Sequence, residues 1–269
     1  MTKISIVIPT YNEEKHIRFL LESIQKQDYD GEIEVIIADS YSKDRTIEIA
    51  KQYTDKIVLV KERGIARGRN AGLRVATGDI VLFVDADTIL FSNCLKKITE
   101  LMGKNKKVVG VCPVMMGYEG KTVHKIIGQF INLIMVLLAK LGIYAFHTLC
   151  VAYRRDALLK VKGFNENIEP GEDIDISLRI CKLGECIVYP KPLAATSLRR
   201  LKKFGTLGYL SMSLPAYLEV LIANKQEHKY VYPHVTEGNK VRKPLIAYTL
   251  KDTLTIIKNL KKILSKRQI

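Results

Sequence analysis

Tryptophan is absent from this 269-residue chain, and histidine occurs only five times. The missing indole, and the lack of aromatics interleaved on a basic face, argue against a stacking groove for single-stranded nucleic acid. His16, His124, His147, His228 and His234 do not pair at ligand spacing with one another or with a cysteine. They are expected to be structural or surface residues. The five cysteines, at 94, 112, 150, 181 and 186, show no paired spacing and no Cys-x-x-Cys. They read as small buried hydrophobes in a reducing compartment, which excludes a disulfide frame and a zinc site. Acidic residues are also short: 28 Asp+Glu face 43 Lys+Arg, a formal charge of +15. Such an excess calls for an anionic partner, whether nucleic acid, a phosphorylated substrate or an anionic membrane. Much of it lies in the last third of the chain, mixed with apolar residues, which favours a membrane surface over a nucleic-acid groove.

What the chain does have is apolar substance. At 47% hydrophobic residues it can form one large core, or a domain with a smaller appendage. The N-terminal apolar run reaches Pro9 too soon for a secretory signal, so a strand is expected to start almost at once, in an intracellular protein. The central stretch is Gly78-Asp79-Ile80-Val81-Leu82-Phe83-Val84-Asp85-Ala86-Asp87-Thr88. It reads as a buried strand of a parallel sheet that ends in two carboxylates. Ligands of open α/β sheets bind beyond the carboxyl ends of such strands. Two hard oxygen ligands there suit Mg²⁺ or Mn²⁺ bridging to substrate phosphates. A helix cap or turn would use the same residues.

Around this stretch, strands are expected at 4–8, 33–38 and 57–60, with helices carrying Ile17, Leu20, Leu21 and Ile24, then Ile47, Ile49 and Ala50. The β-α-β-α-β order with short loops is that of a doubly wound, mostly parallel sheet. Further on, 90–101 reads as a helix, and 108–113 and 186–189 as strands. The run Gly64-Ile65-Ala66-Arg67-Gly68-Arg69-Asn70-Ala71-Gly72 matches neither a dinucleotide fingerprint nor a Walker loop. Arg67 and Arg69 there offer guanidinium forks to phosphate, unless they belong to a solvated basic helix start.

Five short motifs occur in order: Pro9-Thr10-Tyr11-Asn12-Glu13-Glu14, Asp39 with its Ser/Asp/Thr-rich turn, Arg69-Asn70-Ala71-Gly72, Asp85-Ala86-Asp87 and Glu172-Asp173. Together, over roughly residues 1–200, they resemble the inverting nucleotide-sugar glycosyltransferases of family 2, which have the GT-A fold. The resemblance implies that Pro9, Tyr11, Glu13 and Asp39 line the base and ribose pocket. Tyr11 would stack, while Glu13 and Asp39 would accept hydrogen bonds from ribose hydroxyls or a base N–H. Tyr41 departs from the glycine-richer family pattern. Asp87 matches the main metal ligand, and Asp85, beside Ala86, a ribose or metal-water contact. The metal would neutralise the diphosphate leaving group.

Gly163-Phe164-Asn165-Glu166, before Glu172-Asp173, resembles the segment that leads to the family's catalytic acid pair, with Asn165 in an aspartate's place. By that match Asp173, next to Glu172, is the general base for an acceptor hydroxyl. An acidic first helical turn would also explain these residues. Arg199 and Arg200 are the candidates to close over the diphosphate; a solvated basic loop is the alternative.

The apolar stretch 126–146 holds Gln129, Asn132 and Lys140 and lies between two motifs of one domain. It is expected to lie in a membrane interface or pack on the core, not to span. The stretch 207–223, broken by Pro215, reads similarly. After Lys240, Leu250, Leu254, Ile257, Leu260 and Leu264 recur at helical spacing among lysines, the pattern of an anionic membrane surface.

The resemblance thus implies a GT-A domain at 1–205, with its nucleotide-sugar half at about 1–115 and its acceptor half at about 116–205. A basic helical region follows at 206–269. The expected activity is metal-dependent inverting transfer from a UDP- or GDP-sugar to a hydroxyl of a lipid-linked or membrane-near acceptor, with no nucleic-acid partner. The setting is the cytoplasm, peripheral to the inner face of the cell membrane. The rivals are a polyprenyl-phosphate sugar synthase, whose ionised acceptor needs no base, and a catalytically silent nucleotide-binding scaffold.

Overall fold

The computed structural model describes residues 2–205, together with Gly208 and Val220. The remainder of the expected 206–269 region, with the basic helix after Lys240, lies outside the described residues.

Strand β1 (Ile4–Thr10) leads through α1 (Ile17–Gln25) to β2 (Ile33–Asp39), α2 (Thr46–Ala50) and β3 (Ile57–Leu59). Helix α3 (Ile65–Val75) then returns the chain to β4 (Ile80–Val84). After it come β5 (Thr88–Leu90), α4 (Cys94–Gly103), β6 (Val108–Pro113), β7 (Met116–Gly117) and α5 (Thr122–Lys140). The described chain ends with β8 (Cys150–Arg154), α6 (Arg155–Lys160), α7 (Glu172–Ile180), β9 (Glu185–Tyr189) and β10 (Ala194–Thr196). The large sheet has the order β3-β2-β1-β4-β8-β6-β9, and a small sheet the order β5-β10-β7. The expected parallel arrangement holds from β3 to β4 and again between β6 and β9. Strand β8 runs antiparallel to both of its neighbours.

The chain builds outward from β1 to β3, then crosses back to lay β4 on the other side of β1. The crevice between the carboxyl ends of β1 and β4 is therefore the topological switch point. Asp85 follows β4 there.

Alternate residues of the central strands feed two cores. Ile4, Ile6, Ile8 and Leu82 meet α1 and α4, whereas Val7, Val81 and Phe83 meet the elements on the opposite face. Helix α3 lies close on β1. A methyl at Gly72 would stand 2.3 Å from Cγ1 of Val7, so this approach needs a residue without Cβ.

Two expectations are corrected. Cys181 and Cys186 are joined in a disulfide, with Cα atoms 5.6 Å apart. The short turn from the end of α7 to β9 folds two cysteines five residues apart onto each other. The inference of a reducing compartment rested on unpaired cysteines and loses that ground. The expected 126–146 helix runs instead from Thr122 to Lys140. Only a narrow face, with Met135 and Val136, packs on the core; Val123, Ile126, Phe130, Leu133 and Leu137 are exposed.

Candidate active site

Pairing of the two sheets' strands assembles the site. Asp85-Ala86-Asp87 bridges β4 to β5. Strand β10 pairs with β5 through Thr196 and Thr88, and Ser197 N–H donates to the Asp87 carbonyl at 3.0 Å. The chain just after β10 is thereby held over the aspartates. Arg199 forks onto Glu13 (2.8 and 2.6 Å), and its Nε lies 2.8 Å from Asp87 Oδ2. One guanidinium, from the end of the described chain, thus serves two carboxylates from the first third of the sequence. Burial pushes the Glu13 carboxyl up to about 7, against the pull of Arg199. Burial likewise raises Asp87, again opposed by Arg199.

The cleft at this point encloses about 710 Å³, part of it open to solvent. Its walls include Pro9, Tyr11, Glu13, Asp85, Ala86, Asp87, Arg199 and Arg200, so eight of the residues singled out by sequence come together. Thr10, Ser40, Gly64 and Ile65, which belong to the sequence motifs but were given no role of their own, also line it, as does Arg63, which no motif included. The Arg63 guanidinium lies 3.9 Å from the Tyr11 ring centroid, a cation–π pair on a flat platform. Its signal was its place just beyond the carboxyl end of β3, where ligands of such sheets gather.

Three expected residues do not line this first cleft. Asp39 is fully buried. It accepts from Thr10 Oγ1 at 2.8 Å and from Ser42 N and Oγ at 2.8 and 2.6 Å. Its carboxylate ties the loops after β1 and β2 together rather than facing a ligand; the neighbouring Ser40 takes the place on the wall. Arg69 is also buried. Its Nη1 donates to Glu172 at 2.8 Å and its Nη2 to Asp85 at 3.0 Å. Arg67 pairs with Glu62 at 3.1 Å and Glu166 at 3.7 Å, away from the cleft. Neither arginine lines the first cleft; Arg69 reaches the wall of the second, where its guanidinium is already held by Glu172 and Asp85.

The Arg69-Asn70-Ala71-Gly72 motif is instead a clamp. Asn70 Nδ2 donates to the Phe164 carbonyl at 2.9 Å and to Glu166 at 2.8 Å, while Phe164 N–H donates to Asn70 Oδ1 at 2.8 Å. The Phe164 ring meets Phe83 edge-on with centroids 4.9 Å apart. Helix α3 thus fixes the whole 164–172 segment against the strand that carries Asp85.

That segment walls a second cleft of about 480 Å³. Glu172 and Asp173 line it, with Arg69, His147, Thr148, Leu149, Glu169 and Pro170, and it shares Ile65, Asp85 and Arg200 with the first. Burial and the adjacent Glu172 push the Asp173 carboxyl up to about 8, with Arg69 pulling the other way. His147, expected to be structural or surface, faces this cleft. Burial holds its imidazole down to about 4, so it is neutral at physiological pH. A lone histidine outside any motif gave no sign of this position. Among the described residues no group of three or more His, Cys, Asp or Glu side chains could hold a metal by itself. The carboxylates of Asp85 and Asp87 are nonetheless hard oxygen donors, and Asp87 already faces one cation, that of Arg199.

The sequence and fold have known counterparts. The chain is 35% identical over 130 residues to poly(ribitol-phosphate) beta-N-acetylglucosaminyltransferase TarS of Staphylococcus aureus, which takes in 46% of this chain and 22% of that protein. It is 28% identical over 186 residues to an uncharacterized glycosyltransferase of Haemophilus influenzae, 66% of this chain and 61% of that one. The crystal structure of S. aureus TarS 1–349 superposes with a TM-score of 0.61 at 22% identity, covering 82% of this chain and 64% of that chain. Mannosyltransferase PcManGT from Pyrobaculum calidifontis, in complex with GDP-Man and Mn²⁺, gives a TM-score of 0.67 at 24% identity over 83% and 65%. These likenesses show the GT-A fold. The sequence model described as Glycosyl transferase family 2 matches residues 5–161, more than half of the chain, and the chain therefore belongs to that family.

Proposed function

We propose that this glycosyltransferase moves a sugar, with inversion, from a nucleoside diphosphate sugar to an acceptor hydroxyl. The observation that carries the reading is the pair of clefts meeting at Asp85 and Arg200. The first has an aromatic platform at Tyr11, carboxylates for polyol hydroxyls, and two arginines suited to a diphosphate. The second holds a carboxyl group, Asp173, able to accept a proton. Structures of TarS with UDP-GlcNAc and of PcManGT with GDP-Man and Mn²⁺ support a UDP- or GDP-sugar donor. The relative named for poly(ribitol-phosphate) supports an acceptor rich in hydroxyls.

The nucleoside stacks on Tyr11, and Glu13 or Ser40 receives hydroxyl hydrogens. Arg199 and Arg200 turn to the diphosphate as it gathers charge. Asp173 takes the proton of the acceptor hydroxyl while that oxygen forms its bond to sugar C1. The C1–O bond to the diphosphate breaks on the opposite face, and the nucleoside diphosphate leaves with the electron pair. Glu172, held by Arg69, fixes the helix turn that carries Asp173. Asp87 and Asp85 would hold Mg²⁺ or Mn²⁺, which when bound supplies Lewis-acid neutralisation of the leaving diphosphate.

A thermal-shift panel of UDP-, GDP-, ADP- and dTDP-sugars, each with Mn²⁺ or EDTA, tests the donor half, since a ligand of the native state raises the midpoint. The expected result is a metal-dependent rise with one nucleotide that Asp87→Ala abolishes. No rise with any donor at millimolar concentration would overturn the reading in favour of a silent scaffold. Full activity of Asp173→Asn on a polyprenyl phosphate would replace the hydroxyl acceptor with a phosphate.

A further inference from the structure

Helix α5 is amphipathic in the wrong sense for a soluble domain. Its inner face rests on His124, Asn132 and Met135. Asn132 holds it there by donating to the Met115 carbonyl at 2.7 Å. Its outer face carries the large apolar side chains: Ile126 and Phe130 each keep 62% of their surface exposed, and Leu133 and Leu137 about half. These positions recur at intervals of three and four, so they form one continuous stripe. Among the described residues α5 alone is long and apolar enough to cross a bilayer, and 17% of its most apolar window is buried. Crossing is excluded by topology. Strands β6 and β8, which precede and follow α5, pair with each other in one sheet.

We infer that the outer face of α5 is a docking surface for an anionic lipid bilayer, on which the helix lies flat. Charge selects this occupant. No Asp or Glu occurs between Glu119 and Asp156, whereas Lys121, Lys125 and Lys140 sit at the two ends of the stripe. A second copy would set these lysines against their own kind, and the lysine-rich residues after 240 would do the same. Anionic headgroups complement them, and the apolar stripe enters the acyl boundary between. The chain that leaves α5 becomes, at 147–149, a wall of the second cleft. Bilayer docking is thus coupled by a short connection to the side of the molecule that holds Asp173. This surface stands apart from the transfer chemistry and does not rest on it.

The test is sedimentation of the full chain with vesicles of phosphatidylcholine containing phosphatidylglycerol, against vesicles of phosphatidylcholine alone. A variant with Ile126→Gln, Phe130→Gln, Leu133→Gln and Leu137→Gln is run alongside, its folding checked by an unchanged melting midpoint. The expected result is binding of the wild type to anionic vesicles that falls by about tenfold or more in the variant. Lys121→Gln with Lys125→Gln, which leaves the apolar stripe intact, is expected to weaken only the phosphatidylglycerol-dependent part. Equal binding by the fourfold variant, or no binding by the wild type, would overturn the inference. So would a wild-type dimer in gel filtration that becomes a monomer in the variant. Nucleotide-sugar thermal shifts are read separately, so a failure here leaves the donor reading untouched.

Discussion

Replacing Arg69 by methionine should do more damage to stability than changing any other residue on the walls of the two clefts. The guanidinium is 2% exposed and reaches Glu172 (7% exposed) and Asp85 (17% exposed) at 2.8 and 3.0 Å. Methionine fills much of the same volume, so packing loss is small, and the cost is that of two carboxylates left without a cation. Breaking a buried pair in this way costs about 3–5 kcal/mol, a large share of the roughly 5–15 kcal/mol that holds a domain together. Glu172→Met should cost less, because Arg69 retains Asp85. The double variant should cost less than the sum of the singles by about 0.5–3 kcal/mol, since the second change removes a charge the first stranded. Urea unfolding measures all four corners of the cycle, with an unchanged slope as the check on two-state behaviour. Strict additivity, or a loss below about 1 kcal/mol for Arg69→Met, would refute the clamp. The catalytic consequence has a sign of its own. Arg69 lowers the Asp173 pKa, so weakly destabilised Arg69→Lys protein should retain its pH profile, whereas Arg69→Met should move the rising limb to higher pH.

Asp173 must lose its proton to act, so wild-type kcat/KM should rise about tenfold per pH unit and level off near about 8. Asp173→Asn should lower turnover by about 10²- to 10⁴-fold; a flat profile from pH 6 to 9 would refute the assignment. The same raised carboxyl binds its proton more tightly in the folded chain than in the unfolded one, where the ordinary value is 3.8. Its contribution to stability is therefore full below about 4 and lost as pH rises toward about 8, and Asp173→Asn should remove that slope from the melting curve. Arg199→Ala leaves Glu13 and Asp87 without their shared cation. Without nucleotide it should bind Mn²⁺ more tightly than the wild type, by titration calorimetry or electron paramagnetic resonance, yet bind nucleoside diphosphate more weakly. Unchanged Mn²⁺ binding would show that arginine and metal do not compete. Gly72→Ala gains up to about 1 kcal/mol of helix propensity but brings its methyl within 2.3 Å of Val7. The clash, at about 1–3 kcal/mol, should win, and chemical denaturation should show a net loss.

The elements that were legible in the sequence are those whose pattern depends on near neighbours. Strands β1, β2 and β4 are mostly apolar runs, interrupted only by Ser5 and Glu34 before their carboxyl ends and largely buried, and those ends mark the crevice without further information. The Asp85-Ala86-Asp87 motif could be placed for the same reason. Strand β8 escaped notice because Cys150-Val151-Ala152-Tyr153-Arg154 follows a long apolar stretch with no break of composition, and its antiparallel pairing with β4 and β6 is a long-range fact. The disulfide was missed because a five-residue spacing has no local signature. It needs the helix-to-strand turn to close it.

Arg69 and Asp39 show where residue-type reasoning stops. Guanidinium groups bind phosphate, which suggested the role of Arg69, while the family resemblance placed the Asp39 carboxylate on the base and ribose. Yet a phosphate ligand must present its charge to open space, and α3 carries Arg69 to the wall of the second cleft with only 2% of its side chain exposed. There it meets two acids that lie 16 and 103 residues away in sequence. Asp39 likewise turns inward because Thr10 and Ser42 satisfy it before a ligand can. A sequence lists these donors and acceptors but does not pair them. The pairing decides whether a charged side chain meets substrate or holds in place the residue that does. By that criterion Arg199 stands between the two classes. It is paired with Glu13 and Asp87, yet it lines the first cleft and is 19% exposed against 2% for Arg69, so a bound diphosphate can compete for it far more readily.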